Sequence, residues 1–245
     1  MGTESRVAMI TGAAVGIGRA SAILMAQRGD RLVLVDVDGE RLALLAQELS
    51  DYTAEVLTFV CDVSDEDAIK AVVAQAQERF GAIDILINNA ALWRVWQPFV
   101  EMSSATWRRY LEVNVMGTVY CTQAVLPRML ERGWGRIVNV ASVAGVYGNA
   151  NMANYSATKG AVIAFTKALA KEVADRGVLV NAVSPGSVSP SEERDIDAYI
   201  PSELAFIGRT GTDRENAELI CFLASDKASY ISGQNIQIDG CRKKQ

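Results

Sequence analysis

Short runs of consecutive apolar residues recur along the chain, each followed by a longer stretch in which apolar and polar residues share a helical period. Val7-Ala8-Met9-Ile10, Leu32-Val33-Leu34-Val35, Val56-Leu57-Thr58-Phe59-Val60, Ile83 to Ile87, Ile137 to Val140 and Val178 to Val183 have the length and continuity of strands buried on both faces. Ile236 to Ile238 adds a last one. Between them, Ile17 to Arg28, Glu40 to Leu49, Glu66 to Phe80, Ala105 to Glu131, Tyr155 to Asp175 and Arg214 to Ala224 read as helices. This alternation predicts an α/β protein with a doubly wound sheet of about seven mostly parallel strands, because right-handed crossovers put helices on both faces. No repeat, low-complexity tract or long linker breaks the pattern, so one domain over residues 1–245 is expected. The least regular region, residues 184–208, contains Pro185 and Pro190 and also Pro201. It is expected to form a loop or lid at the C-terminal edge of the sheet.

The first strand runs into Thr11-Gly12-Ala13-Ala14-Val15-Gly16-Ile17-Gly18, directly before the first helix. Glycine there allows a tight turn and a close backbone approach to a pyrophosphate, whose charge the amides of the first helical turn would face. Taken alone such a turn says little; between the first strand and first helix of a wound sheet it points to a dinucleotide and a Rossmann-type arrangement. The second strand ends in Asp36, where a carboxylate can take both hydroxyls of an adenosine ribose and repel a 2′-phosphate. Val15 and Val37 supply no local cation for such a phosphate, which favours NAD over NADP. The competing reading of Asp36 is a turn residue or helix N-cap.

Composition removes several function classes. Lys and Arg number 24 against 29 Asp and Glu, a formal charge of −5, and the one compact basic group is Arg242-Lys243-Lys244 near the C-terminus. A nucleic-acid footprint normally needs a basic face, so none is expected. Cys61, Cys121, Cys221 and Cys241 lack the short paired spacing of a zinc knuckle or disulfide framework, which suggests a reducing compartment. No apolar run approaches bilayer length and residues 1–10 lack a signal-peptide pattern. A cytoplasmic protein without membrane association is the expectation.

The chain contains no histidine, so proton transfer near neutral pH must use another group. Tyr155-Ser156-Ala157-Thr158-Lys159 offers a phenol. On a helix, residues four apart share a face, and an ammonium beside the phenol in a water-poor cleft would lower its pKa from about 10. The bland alternative is an interface aromatic next to a solvated lysine.

Together these motifs resemble the short-chain dehydrogenase/reductase family in its shorter, single-domain form, over nearly the whole chain from Thr11 to Gly240. The family's Thr-Gly-x-x-x-Gly-x-Gly pattern falls here on Thr11, Gly12, Gly16 and Gly18, with Ile17 in the same cofactor turn. Asp62-Val63 matches the motif that meets the adenine, Asn88-Asn89-Ala90 the end of the fourth strand beside the cofactor, and Pro185-Gly186 the turn next to the nicotinamide, followed by the amide of Val188. Asn114, Ser142, Tyr155 and Lys159 match the family's catalytic positions. The resemblance implies that Tyr155 donates or accepts the proton and Ser142 polarises the substrate oxygen. Lys159 would lower the tyrosine pKa and bind the nicotinamide ribose, and Asn114 would hold a water linking the lysine to solvent. Tyr155 and Lys159 thus count for both catalysis and cofactor binding, no metal is needed, and a homodimer or homotetramer is implied.

Each position also has a duller reading: Ser142 as a turn residue, Asn114 as a buried amide serving backbone atoms, Asn88 and Asp62 as strand ends. Three departures from the family pattern stand out. Ala91 replaces a frequent glycine, Ser187-Val188-Ser189-Pro190 replaces a run with a threonine near position 190, and Cys241 replaces the second glycine of Asp-Gly-Gly.

Trp93 and Trp96 after the fourth strand, Tyr147 after the catalytic serine, and Ser142 and Tyr155 themselves are the candidate substrate contacts. The leading reading is an NAD-preferring oxidoreductase interconverting a secondary alcohol and a ketone of small or medium size. The alternative is a 3-oxoacyl-thioester (acyl carrier protein) reductase, against which Asp36 weighs because biosynthetic members generally use NADPH. A third, of another class, is a catalytically silent nucleotide-bound sensor or scaffold.

Overall fold

A computed structural model describes residues 5–52, 55–188 and 195–243. In chain order it contains β1 (Val7–Thr11), α1 (Gly16–Gln27), β2 (Arg31–Asp36), α2 (Gly39–Leu49), β3 (Val56–Val60), α3 (Glu66–Phe80) and β4 (Ile85–Asn88). There follow α4 (Ser104–Leu111), α5 (Gly117–Arg132), β5 (Gly135–Val140), α6 (Ala144–Tyr147), α7 (Ala153–Val173), β6 (Val178–Pro185), α8 (Asp213–Leu223) and β7 (Asn235–Ile238). The strands form one seven-stranded sheet in the order β3-β2-β1-β4-β5-β6-β7, every pair parallel. The sheet is therefore wholly parallel, and its order reverses between β1 and β4. Loops leaving these two strands in opposite directions open a crevice at their C-terminal ends, the place where doubly wound sheets bind ligands.

Along β1, Val7 and Met9 face one apolar layer while Ala8 and Ile10 face the other. The first layer packs under α3, α5 and α7; the second packs under α1, α2 and α8. All four residues are fully buried, and Val7, Met9 and Ile10 each contribute about 1.5–3 kcal/mol by leaving water. That double burial is why the strands read as unbroken apolar runs.

The continuous helix expected over Ala105 to Glu131 is divided. A π-helical turn, Glu112–Met116, separates α4 from α5. The widened turn carries Asn114, whose side chain bonds outside the helix, and it precedes Gly117, where an added Cβ would lie 2.6 Å from Val63 Cγ2. The helix thus passes so close to the β3–α3 loop that only glycine fits. Four short elements were not legible in the apolar pattern: α6 and the 3₁₀ turns Phe99–Glu101, Ala174–Arg176 and Asp226–Ala228. Each spans only three or four residues, too few for a helical period. No helix among the described residues is long and apolar enough to cross a membrane.

Candidate active site

The turn after β1 is held from behind by the end of β4. Thr11 Oγ1 accepts from the amides of Asn89 and Ala90 at 3.1 Å each, and Asn89 Nδ2 donates to the carbonyls of Thr11 and Gly12 at 3.1 and 2.9 Å. Thr11, Asn89 and Ala90, expected beside a cofactor, serve here as staples that fix the glycine turn. Gly12 and Gly16 have φ of +62° and +60°, the left-handed region that disfavours side chains. A Cβ on Gly18 would approach Gly12 O to 2.1 Å, so α1 can dock on the turn only with glycine there.

The start of α1 is uncapped by any side chain, as are those of α5, α6 and α7, and it alone of these follows the glycine turn after β1. Asp38, Asp65, Ser103 and Thr212 cap α2, α3, α4 and α8 with side-chain oxygens, whereas Val15 gives α1 no such cap and its first turn has no acidic residue. Amides of Gly16, Ile17 and Gly18 therefore face the crevice without an intrahelical or side-chain acceptor, a donor set suited to a pyrophosphate. These residues fit a dinucleotide.

At the end of β2, Asp36 Oδ2 accepts from the amide of Ala14 at 2.9 Å and Oδ1 from that of Asp38 at 3.0 Å. Since Asp38 is the N-cap of α2, the N-cap reading of Asp36 is excluded. Asp36 instead joins the glycine turn to the start of the β2–α2 loop, with Val15 and Val37 exposed on either side. Asp62, after β3, is more heavily engaged than its sequence suggests. It accepts from Ser64 N and Oγ at 3.0 and 2.7 Å and pairs with Arg109 of α4. Desolvation pushes its carboxyl up, but the Ser64 amide, the Arg109 guanidinium and the Ser64 hydroxyl together hold it below the ordinary value. Arg109 lies 47 residues away, and nothing in its local sequence indicates the pairing. Val63 is buried against Gly117, so it lines the interior here.

Ser142, Tyr155 and Lys159 meet beyond the end of β5. Ser142 Oγ accepts from Ala144 N at 3.1 Å, so the turn reading is correct as far as it goes, and the same hydroxyl lies beside the Tyr155 phenol. Burial pushes that phenol above its ordinary value; Ser142 pulls the other way and nearby Tyr110 adds to the rise. The expected lowering by Lys159 is not present in this arrangement. Lys159 Nζ donates to the carbonyl of Val140 at 2.5 Å and stands 5.8 Å from the centre of the Tyr155 ring. Stripped of water, its own amine falls to about 8. Burial sets the direction for both groups because each sits inside the protein, where its charged form is disfavoured.

Asn114 Oδ1 accepts from Leu92 N at 2.7 Å, and its Nδ2 donates to Leu92 O and Thr158 Oγ1 at 3.0 Å each. Both amide protons are thus used, pinning the loop after β4 to α7 next to Lys159. Asn88, also buried, bonds Thr122 and Asn139, and Asn139 continues to Thr166. This polar chain through the core ties α5 and α7 to the two central strands.

On the substrate side, Trp93 and Trp96 are 46% and 63% exposed on the loop after β4. Gln97 N of the same loop donates to Asn151 O at 2.9 Å, which seats the loop beside the start of α7. Tyr147 is half exposed, but its hydroxyl donates to Gln237 Oε1 at 2.5 Å and ties α6 to β7. Pro185 ends β6, Gly186 approaches Asp239 so closely that a Cβ would lie 2.8 Å from its Cα, and Val188 pairs with Gly211. Ser189, Pro190 and the acidic run from Ser191 to Arg194 lie outside the described residues. Cys241 has φ +60°, which explains why glycine is frequent at this place in the family pattern. Sequence reading missed Thr158, Tyr110 and the Val140 carbonyl. Of these only Thr158 carried a signal, its place inside the Tyr-Ser-Ala-Thr-Lys run.

The family model for short chain dehydrogenase matches residues 6–198. The 3-oxoacyl-(acyl-carrier-protein) reductase FabG of Thermotoga maritima is 42% identical over 243 residues, 98% of each chain. Cis-4-hydroxycyclohexanecarboxylate dehydrogenase of Sinomonas cyclohexanicum is 39% identical over 238 residues, 96% of this chain and 95% of the other. Among solved structures, NAD⁺-bound xylitol dehydrogenase superposes with a TM-score of 0.89 at 33% identity, covering 96% of this chain and 98% of that one.

Proposed function

This chain belongs to the short-chain dehydrogenase family and is an oxidoreductase of that family; from that premise we propose that it interconverts a ketone and a secondary alcohol, preferring NAD(H). Bound NAD(H) supplies or takes the hydride. Gly12, Gly16, Ile17, Gly18 and Asp36 would hold it at the crevice, with Thr11, Asn89 and Ala90 fixing the glycine turn from behind and Asp62, Pro185, Gly186 and Val188 bordering the crevice, while Val63 packs inside. Tyr155 gives a proton to the nascent alkoxide in reduction and removes one from the alcohol in oxidation, while the Ser142 hydroxyl hydrogen-bonds the same oxygen. Lys159 presents its amine between the tyrosine and the Val140 carbonyl, and Asn114 positions the neighbouring loop. The observation that carries this reading is the meeting of Ser142, Tyr155 and a dehydrated Lys159 in one cluster.

For the substrate, the names of several relatives at 35–42% identity favour a 3-oxoacyl thioester over a free alcohol, polyol or cyclic ketone. The reaction is the same ketone reduction in either case. Asp36 supports NADH as the donor, because its carboxylate would repel a 2′-phosphate and neither Val15 nor Val37 offsets it. The test is a panel of acetoacetyl thioesters, cyclic ketones and polyols run with both cofactors, following reduced nicotinamide. Turnover of the thioester with NADH ahead of NADPH is the expected result. Preference for NADPH would remove the Asp36 argument, and cofactor binding without turnover of any substrate would favour the silent-sensor reading.

A further inference from the structure

The last described residues turn back across the substrate side. Phe206 N donates to Cys241 O at 2.9 Å, Ile207 N to Gly240 O at 3.2 Å and Lys243 N to Leu204 O at 2.9 Å, and Ala205 pairs antiparallel with Arg242. Residues 240–243 thus form a strap laid along segment 204–207 of the lid. From this strap Arg242 Nη2 reaches Asn149 Oδ1 at 3.3 Å. Asn149 follows α6, and its backbone N–H donates at 3.1 Å to Oγ of Ser156, the residue after Tyr155. Arg242 therefore stands where the lid, the loop after Ser142 and the start of α7 converge.

Its electrostatic setting is unlike that of its neighbours. Arg209 is paired with Glu215 and Arg214 with Asp197, as most arginines of this acidic chain are paired with carboxylates. Among the described residues no carboxylate lies within ion-pair distance of Arg242, whose recorded side-chain partner is a neutral amide. Asn149 takes one of the five N–H groups of the guanidinium. The rest of the fork can donate to a carboxylate or phosphate in bidentate fashion, and the backbone bonds of the strap hold it in place before the ligand arrives.

We propose that Arg242 is a specificity-determining residue that binds an anionic group on the substrate, a carboxylate or the phosphate of a carrier, while the ketone lies at Tyr155. This rests on the oxidoreductase reading, because it assigns Arg242 to the substrate of that site. The strap supplies position and the guanidinium supplies charge, so Met in place of Arg keeps the stem and removes the recognition.

Wild type, Arg242→Met and Arg242→Lys are assayed with three 3-oxo substrates: acetoacetyl-CoA, acetoacetate and the uncharged S-acetoacetyl-N-acetylcysteamine. In Arg242→Met, the KM of an anionic substrate relative to that of the uncharged thioester rises about tenfold or more, and Lys restores part of it. A rise confined to acetoacetyl-CoA identifies the phosphate; one confined to acetoacetate identifies the carboxylate. An unchanged ratio overturns the proposal, including the case in which all KM values rise together because the strap only braces the lid. If the wild type turns over none of the three, the oxidoreductase reading fails separately, and calorimetric titration of CoA and of acetoacetate onto NADH-loaded protein decides Arg242. Weaker binding of either to Arg242→Met supports it; equal binding, or none to either protein, overturns it.

Discussion

Lys159 is 3% exposed, and desolvation lowers its amine from 10.5 to about 8. The sign of the consequence follows from proton counting. Between about 8 and 10.5 the unfolded chain holds more of this proton than the folded one does, so stability rises with pH in that interval. Below pH 8 the full cost of burying the charge is present, about 3 kcal/mol at ~1.4 kcal/mol per tenfold change in proton affinity. From pH 7.5 to 9.5 about 2 kcal/mol of this is recovered. Burial raises the Tyr155 phenol, which makes stability fall with pH only above its unfolded value of 10.0, outside that window. Urea unfolding of wild type and Lys159→Met at both pH values, at one protein concentration, gives a difference of differences. Loss of the bond to the Val140 carbonyl affects the variant equally at both pH values and cancels. Wild type is expected to gain about 2 kcal/mol more than the variant on going to pH 9.5. Equal gains, or a larger gain in the variant, would refute a buried, strained amine at the heart of the site.

Other outcomes follow from the same geometry. Tyr155→Phe should lower kcat by about 10²–10⁴-fold while NADH affinity, read by fluorescence titration, stays near wild type; full activity would remove Tyr155 from the proton step. Asp36→Ala should raise the KM for NADH about tenfold or more and shift the NADH/NADPH ratio of kcat/KM toward NADPH, since the brace on Ala14 is lost together with the carboxylate proposed to take the ribose hydroxyls. Gly18→Ala forces a Cβ to within 2.1 Å of the Gly12 carbonyl. It should cost about 1–3 kcal/mol in unfolding and weaken NADH binding as the start of α1 is pushed off the turn, and unchanged values of both would contradict the close approach.

The apolar runs were legible because each strand is buried on both faces, and burial leaves its mark on every residue of the run. The glycine turn and Asp36 were legible for a related reason: a left-handed φ at Gly12 and Gly16 and a Cβ-free contact at Gly18 restrict residue type at fixed spacing along one strand–turn–helix unit. The interruption of the helix at Glu112–Met116 was not legible, because a π turn leaves the apolar period nearly intact while redirecting Asn114.

By itself, then, the sequence determined the wound sheet, the glycine turn between β1 and α1 and the residue types spaced along each element, all of them matters of local period and local residue type. Tertiary structure alone decided what those residues face. Lys159 meets the Val140 carbonyl 19 residues away, Asp62 is held by Arg109, Asn114 clasps Leu92, and Arg242 crosses to Asn149 at a separation of 93 residues. Such contacts depend on how elements distant in the chain pack, and on a burial that reverses the pKa direction expected of an isolated Tyr–Lys pair. Local spacing carries no record of either.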